Sequence, residues 1–109
     1  MIIDFNSIGE SILRNFQGGE KQVVAHMFSD DLNRIMRGTL EPGASIGLHT
    51  HETSSEILFV HKGSGYVIYD GEKFAVKAGD VHYCPKGHSH TFVNDGVSTI
   101  EFTAVVPQQ

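Results

Sequence analysis

Tryptophan is absent from this chain of 109 residues, proline occurs three times and cysteine once. The lone Cys84 cannot close an intrachain disulfide, so packing and hydrogen bonds must hold the fold, and nothing points to an oxidising compartment. Runs of lysine or arginine are missing and the formal net charge is −5. A surface for nucleic acid or for an anionic membrane is therefore not expected. No apolar stretch approaches the roughly 20 residues of a membrane-crossing helix. The opening Met1-Ile2-Ile3-Asp4-Phe5-Asn6 lacks a basic region followed by an apolar one, so no signal peptide is expected and the setting expected is cytoplasmic. After residue 21 no stretch of helical length shows helical spacing of its apolar residues.

What the chain does have is short strands and turn signals. Apolar, alternating or β-branched runs cover residues 23–28, 34–41, 46–51, 56–62, 66–69, 73–77, 81–84, 90–93 and 98–106. Between them fall Pro42-Gly43, Gly63-Ser64-Gly65, Asp70-Gly71, Ala78-Gly79-Asp80, Pro85-Lys86-Gly87 and Asn94-Asp95-Gly96, all combinations that favour tight turns. About nine short strands at close, even spacing predict an all-β sandwich or barrel rather than an α/β fold. One domain is expected over 1–109. Within it, residues 1–33 read as an N-terminal arm and first strand packed on the barrel, and 34–109 as the barrel itself. In the arm, Ile3, Ile8, Ile12, Leu13 and Phe16 predict a strand and a short turn or helix before Gly18-Gly19 breaks the chain. With 39% hydrophobic residues, covering one sheet face in a homodimer is a natural expectation.

Seven histidines stand out, six of them between residues 49 and 90. His49 and His51 are two apart, so on a strand both imidazoles point to one face. Glu56 opens the next strand after Glu52-Thr53-Ser54-Ser55, where a hairpin would bring its carboxylate beside the two rings. His90 from a distant hairpin would complete three nitrogens and one oxygen. Such a set suits one divalent first-row ion, whether Mn, Fe, Co, Ni, Cu or Zn. A lone His-x-His is more often an ordinary solvent-facing pair. Two longer patterns argue otherwise: Gly43-x5-His49-x-His51-x4-Glu56-x6-Gly63 and Gly79-x5-Pro85-x-Gly87-x2-His90-x3-Asn94.

With these two patterns the chain resembles the cupin superfamily, whose two sequence motifs they match at each defining position. The resemblance covers about residues 34–106, and the fifteen residues between Gly63 and Gly79 are similar to the spacing in compact, single-domain bacterial cupins. It implies a double-stranded β-helix (jelly-roll) barrel and metal ligands at His49, His51, Glu56 and His90. Gly43, Gly63, Gly79, Pro85, Gly87 and Asn94 read as turn-formers with no chemistry of their own.

Beyond the ligands, His82 and Cys84 share one face of their strand, and His82 is the candidate acid/base if that face meets the cavity. The plain alternative is a satisfied core or interface histidine. His88 lies two residues before His90 and is a second candidate for work near the metal. His61 alternates away from Glu56, Leu58 and Val60, which places it outside. The same parity nominates Met36, Leu40, Leu58, Val60, Phe92 and Phe102 as apolar pocket walls, with Arg34 on the face of Met36 near the mouth and Arg37 facing away. Two neutral-nitrogen rings, a third, one carboxylate and a divalent ion sum to about +1, which favours a small anionic or chelating oxygen ligand. The function expected is a metal-dependent enzyme acting on a small oxygenated metabolite by dioxygenase, isomerase or lyase chemistry. The alternatives are a non-catalytic module that binds a sugar or other metabolite, and a storage-type structural protein, against which the short length and complete ligand set argue.

Overall fold

The computed structural model describes residues 1–109 and is all-β. Ten strands are present: β1 Ser11–Arg14, β2 Gln22–Ser29, β3 Asn33–Leu40, β4 Ser45–Thr50, β5 Glu56–Lys62, β6 Ser64–Tyr69, β7 Glu72–Lys77, β8 Val81–Cys84, β9 Ser89–Val93 and β10 Ile100–Pro107. Nine of these coincide, within a residue or two, with the runs read from alternation and turn chemistry. The tenth, β1, comes from the arm, where 3-10 turns at Phe5–Ser7 and Phe16–Gly18 complete the mixed strand-and-turn character.

The strands form two antiparallel sheets. Six pair in the order β1-β2-β3-β10-β5-β8, and four in the order β4-β9-β6-β7. Consecutive strands thus often lie in different sheets, the arrangement of a jelly roll. One local expectation is corrected by this topology. Glu52–Ser55 is not a hairpin turn, because β4 pairs with β9 while β5 pairs with β10 and β8. The segment carries the chain from one sheet to the other. The link from β8 to β9 does the same. By contrast Asp70-Gly71 is a two-residue hairpin turn, both residues left-handed at φ 49° and 84°, with Tyr69 opposite Glu72.

Inward-facing residues from both sheets fill one part of the barrel. Val23, Leu40, Leu58, Val60, Val67, Phe92, Ile100 and Phe102 belong to a single buried cluster. Gly38 makes room for its largest member: a Cβ there would come within 2.6 Å of the Phe102 ring. Fully buried Asn94 closes this end of the barrel. Its Nδ2 donates to the carbonyls of Leu40 at 2.8 Å and Ser98 at 2.9 Å, and its Oδ1 accepts from the Gly96 N–H. The sequence suggested the last of these bonds, an asparagine closing its own turn; the bond to Leu40 adds a tie between the turn and β3.

Within residues 1–33, β1 and β2 pair into the six-stranded sheet. β2 pairs with β3 from Arg34 to Leu40, and β1 extends the sheet by one more strand. The turn after β1 then crosses to β4. Gly47 allows this contact, since a Cβ at Gly47 would lie 2.1 Å from the Gln17 carbonyl oxygen. That approach brings Phe16 and Gln17 to the open end of the barrel, beside His49.

Candidate metal centre

Four side chains meet at the boundary between the packed core and the open end. His49 and His90 are direct cross-strand partners on β4 and β9 of the four-stranded sheet. Glu56 is the first residue of β5 in the six-stranded sheet. His51 stands on the crossing segment between them, tied down by its N–H to the His88 carbonyl at 3.1 Å. The two sheets and their connection therefore each supply members of the group. His49 keeps its place despite an irregularity in the β4–β9 pairing between Ile46 and His49.

The nitrogens that converge are the Nε2 atoms. His90 Nε2 lies 3.0 Å from both His51 Nε2 and His49 Nε2. Glu56 Oε1 lies 3.0 Å from His51 Nε2, 3.2 Å from His90 Nε2 and 3.8 Å from His49 Nε2. The far side of each ring is anchored. His49 Nδ1 donates to the Gly47 carbonyl at 2.7 Å, His51 Nδ1 meets Ser54 Oγ at 3.0 Å, and His90 Nδ1 meets His82 Nε2 at 3.0 Å. A carbonyl can only accept, so the proton of neutral His49 sits on Nδ1 and its Nε2 is a lone pair.

These distances fit a metal ion. With neutral rings, the group presents several lone pairs and a carboxylate oxygen to one another at close range, which is repulsive unless a cation lies among them. Metal–ligand bonds of about 2.1 Å at right angles would separate neighbouring ligand atoms by about 3.0 Å, against about 3.4 Å in a tetrahedron. Most of the observed separations match the right-angled set. His49, His51, Glu56 and His90 are grouped so that all their ligand atoms lie within 4.8 Å of one another.

The surroundings set the charge. Burial alone would raise the Glu56 carboxyl, but hydrogen bonds with His49, His51 and His90 outweigh it and hold the group well below the ordinary carboxylate value. For His49, burial lowers the ring's proton affinity, yet bonding to Glu56 and to the Gly47 carbonyl prevails and the pKa is raised above 6.5. Burial, with the His90 charge, pushes His82 down to about 4. Burial, with the negative charges of Glu56 and Asp70, pushes the Cys84 thiol up to about 11, which leaves it unreactive.

A cavity of about 350 Å³ opens onto this group. Its wall includes Met36, Ile46, Ala104 and Val106 from the strands, Phe16 and Gln17 from the arm, and Arg34, Glu52, Thr53 and Gln108 around the mouth. Of the six residues nominated from parity, Met36 lines this cavity, and the exposed Arg34 lines it as well. Leu40, Leu58, Val60, Phe92 and Phe102 lie in the core cluster instead and are 0–2% exposed. Parity tells which side of a sheet a residue faces, but not whether its level of the barrel is filled or open. Ala104 and Val106 share the parity of Phe102 and sit further along the same strand. Phe16 and Gln17 had no such signal, because left-handed backbone at Asn15 and Gln17 breaks any periodicity.

The other histidines separate cleanly. His82 faces inward but does not line the cavity; it stands behind His90. His88 is turned away toward Asp70 Oδ2 and the Tyr69 hydroxyl. Its bond to Asp70 is the first cause of a lowered Asp70 pKa. His61 is exposed and bonds Thr103 Oγ1 on the outer face of the sheet at 2.7 Å.

Comparison with known proteins agrees with the geometry. The family model for the cupin domain matches residues 36–106. An oxalate-binding protein of Thermotoga maritima is 34% identical over 97% of this chain and 93% of its own length. The crystal structure of a predicted oxalate decarboxylase from Thermotoga maritima superposes with a TM-score of 0.93 at 31% identity, each chain covered in full. A sugar phosphate isomerase of the cupin superfamily from Silicibacter pomeroyi has a TM-score of 0.81 at 22% identity, over 100% of this chain and 76% of that one, and shares the fold alone.

Protons compete with a metal for the three nitrogens. Because the His49 pKa is raised, that ring takes up its proton at a pH above 6.5, and affinity should begin to fall there rather than only in acid. Competition with a coloured chelator at pH 8, 7 and 6 should show Co²⁺ affinity decreasing by up to about tenfold per pH unit for each proton displaced. Affinity constant across that range would contradict this assignment.

Proposed function

The chain belongs to the cupin family, and on that premise we propose that it binds a small dicarboxylate of the oxalate type through one divalent transition metal held by His49, His51, Glu56 and His90. The observation that carries this reading is the pairing of a three-nitrogen, one-carboxylate group with a cavity whose mouth holds a guanidinium. A divalent ion on these ligands would supply net positive charge and open positions for two carboxylate oxygens. The chain's own part is selection. Arg34 gives charge complementarity at the mouth, and the hydroxyl of Thr53 and the amides of Gln17 and Gln108 offer hydrogen bonds to the carboxylate rim. Met36, Ile46, Ala104 and Val106 form an apolar wall that favours a compact ligand over a long or heavily hydroxylated one. The similarity to an oxalate-binding protein over nearly the full chain supports the same class of ligand.

A catalytic reading has one observation in its favour. Glu52 is a carboxylate that lines the cavity without belonging to the ligand group, and it is exposed, so it can exchange protons with water. It would serve the lyase chemistry among the activities expected from the sequence. Cleaving the carbon–carbon bond of oxalate releases carbon dioxide and leaves a carbon that needs one proton to become formate. His82 and His88 are displaced from this role because neither lines the cavity. Binding without turnover is the reading we favour, in keeping with the relative that is named for binding oxalate.

The reading includes a homodimer and a cytoplasmic setting. Support for the dimer lies on the outer face of the six-stranded sheet. There Phe59 pairs with Val81 and Ile57 with Tyr83, and Phe59, Val81 and Tyr83 are 38%, 56% and 54% exposed. Val105, opposite both Ile57 and Ile35, continues the apolar strip.

Titration calorimetry with oxalate tests the ligand. The Mn²⁺-loaded chain should bind one oxalate, and the metal-free chain or His51→Ala should bind at least about a hundredfold more weakly. Equal binding with and without metal would contradict the proposal. Formate release that is abolished in Glu52→Gln would replace the binding reading by the lyase one. Sedimentation tests the dimer: the parent should run at twice the chain mass and the double substitution Phe59→Lys, Val81→Lys at the single-chain mass, whereas a monomeric parent would refute it.

A further inference from the structure

The three ligand imidazoles rest on three different partners: a backbone carbonyl behind His49, a serine hydroxyl behind His51, and a second imidazole behind His90. We propose that His82 is the positioning residue for His90, its Nε2 accepting the His90 Nδ1–H and thereby selecting the one tautomer whose Nε2 lone pair faces the metal position. This rests on the metal-binding reading given above.

The bond at 3.0 Å can be arranged in two ways. If His82 donates from Nε2, neutral His90 must carry its own proton on Nε2, the atom that lies 3.0 Å from His49 Nε2 and His51 Nε2. That arrangement fills the centre with a proton and shuts out a metal. If His82 accepts, His90 carries its proton on Nδ1 and offers Nε2 as a ligand. The choice of tautomer at His82 therefore decides whether the third nitrogen is available. An imidazole nitrogen is the most basic of the three outer partners, so in the accepting arrangement it also strengthens His90 as a donor to the metal.

Several features hold His82 in this role. It lies on β8 of the six-stranded sheet, opposite Leu58, while His90 lies on β9 of the four-stranded sheet, so the bond ties the sheets together at the site. The Tyr69 ring meets His82 edge-on, with centroids 5.7 Å apart at 75°. The remaining nearby histidine cannot substitute, because His88 is engaged by Asp70 and Tyr69. A separate cleft of about 320 Å³, lined by Val67, Phe74, Val76 and Val81, reaches His82 from outside the main cavity. His82 thus acts on the metal from a side the ligand does not enter. It touches the site only through His90.

Three measurements test this. In the Zn²⁺-loaded, unsubstituted chain, long-range proton–nitrogen NMR should find the protons of both His82 and His90 on Nδ1; a proton on His82 Nε2 would overturn the proposal without any substitution. For Co²⁺, affinity measured by chelator competition should fall about 10–100-fold in His82→Leu and return to within about threefold of the parent in His82→Gln, which restores an acceptor. The visible absorption of bound Co²⁺ should shift in His82→Leu and not in His61→Leu. Unchanged affinity and spectrum in His82→Leu would overturn the role of His82 while leaving the metal site intact. Failure of the unsubstituted chain to bind either ion would instead bring down the metal reading on which this proposal stands.

Discussion

Three imidazole nitrogens and a carboxylate oxygen held within 4.8 Å of one another are the constraint on which this molecule's architecture turns. Such a group is unfavourable by itself, since lone pairs and a carboxylate face one another at close range in a largely buried setting. It persists because each member is fixed from behind. The Gly47 carbonyl, Ser54 and His82 hold the three rings, and the β5 strand holds Glu56. Nothing in a single strand or hairpin could do this. The ligands come from both sheets and from the segment that crosses between them, so the site exists only when the barrel has closed.

The barrel interior is divided at that level. Below it, Phe102 packs over Gly38 and edge-on to Phe92, with ring centroids 5.4 Å apart, and Asn94 ties the closing turn to β3. Above it, smaller side chains on the same strands, Ala104 and Val106, leave space that the arm partly roofs with Phe16 and Gln17. Core and cavity are thus successive levels of one structure. A packed lower level gives the ligand group rigidity, and the open upper level gives it a ligand-sized entrance.

The same division explains what could be read from the chain alone. Strand positions were legible because alternation and turn chemistry are local, as the Asp70-Gly71 hairpin illustrates. That His49, His51, Glu56 and His90 come together was legible because their spacing is set by two sequence motifs. Which strands pair was not: the Glu52–Ser55 turn looks like a hairpin locally, and only the sheet order reveals it as a crossing. Pocket walls were misplaced for a related reason. Leu40, Leu58, Val60, Phe92 and Phe102 face inward as parity requires, but depth along the barrel axis leaves no mark in a two-residue period. The role of His82 depends on a partner eight residues away in the other sheet, which parity could point toward but not name.

If the convergence of His49, His51, Glu56 and His90 is the organising feature, the chain should hold one metal ion and lose it when one corner is removed. The direct measurement is metal content by mass spectrometry after loading with Mn²⁺ and desalting. About one ion per chain is expected, falling below about a tenth of that in His90→Ala while the circular dichroism of the barrel persists. A parent chain that retains no metal, or a His90→Ala chain that retains as much as the parent, would contradict it.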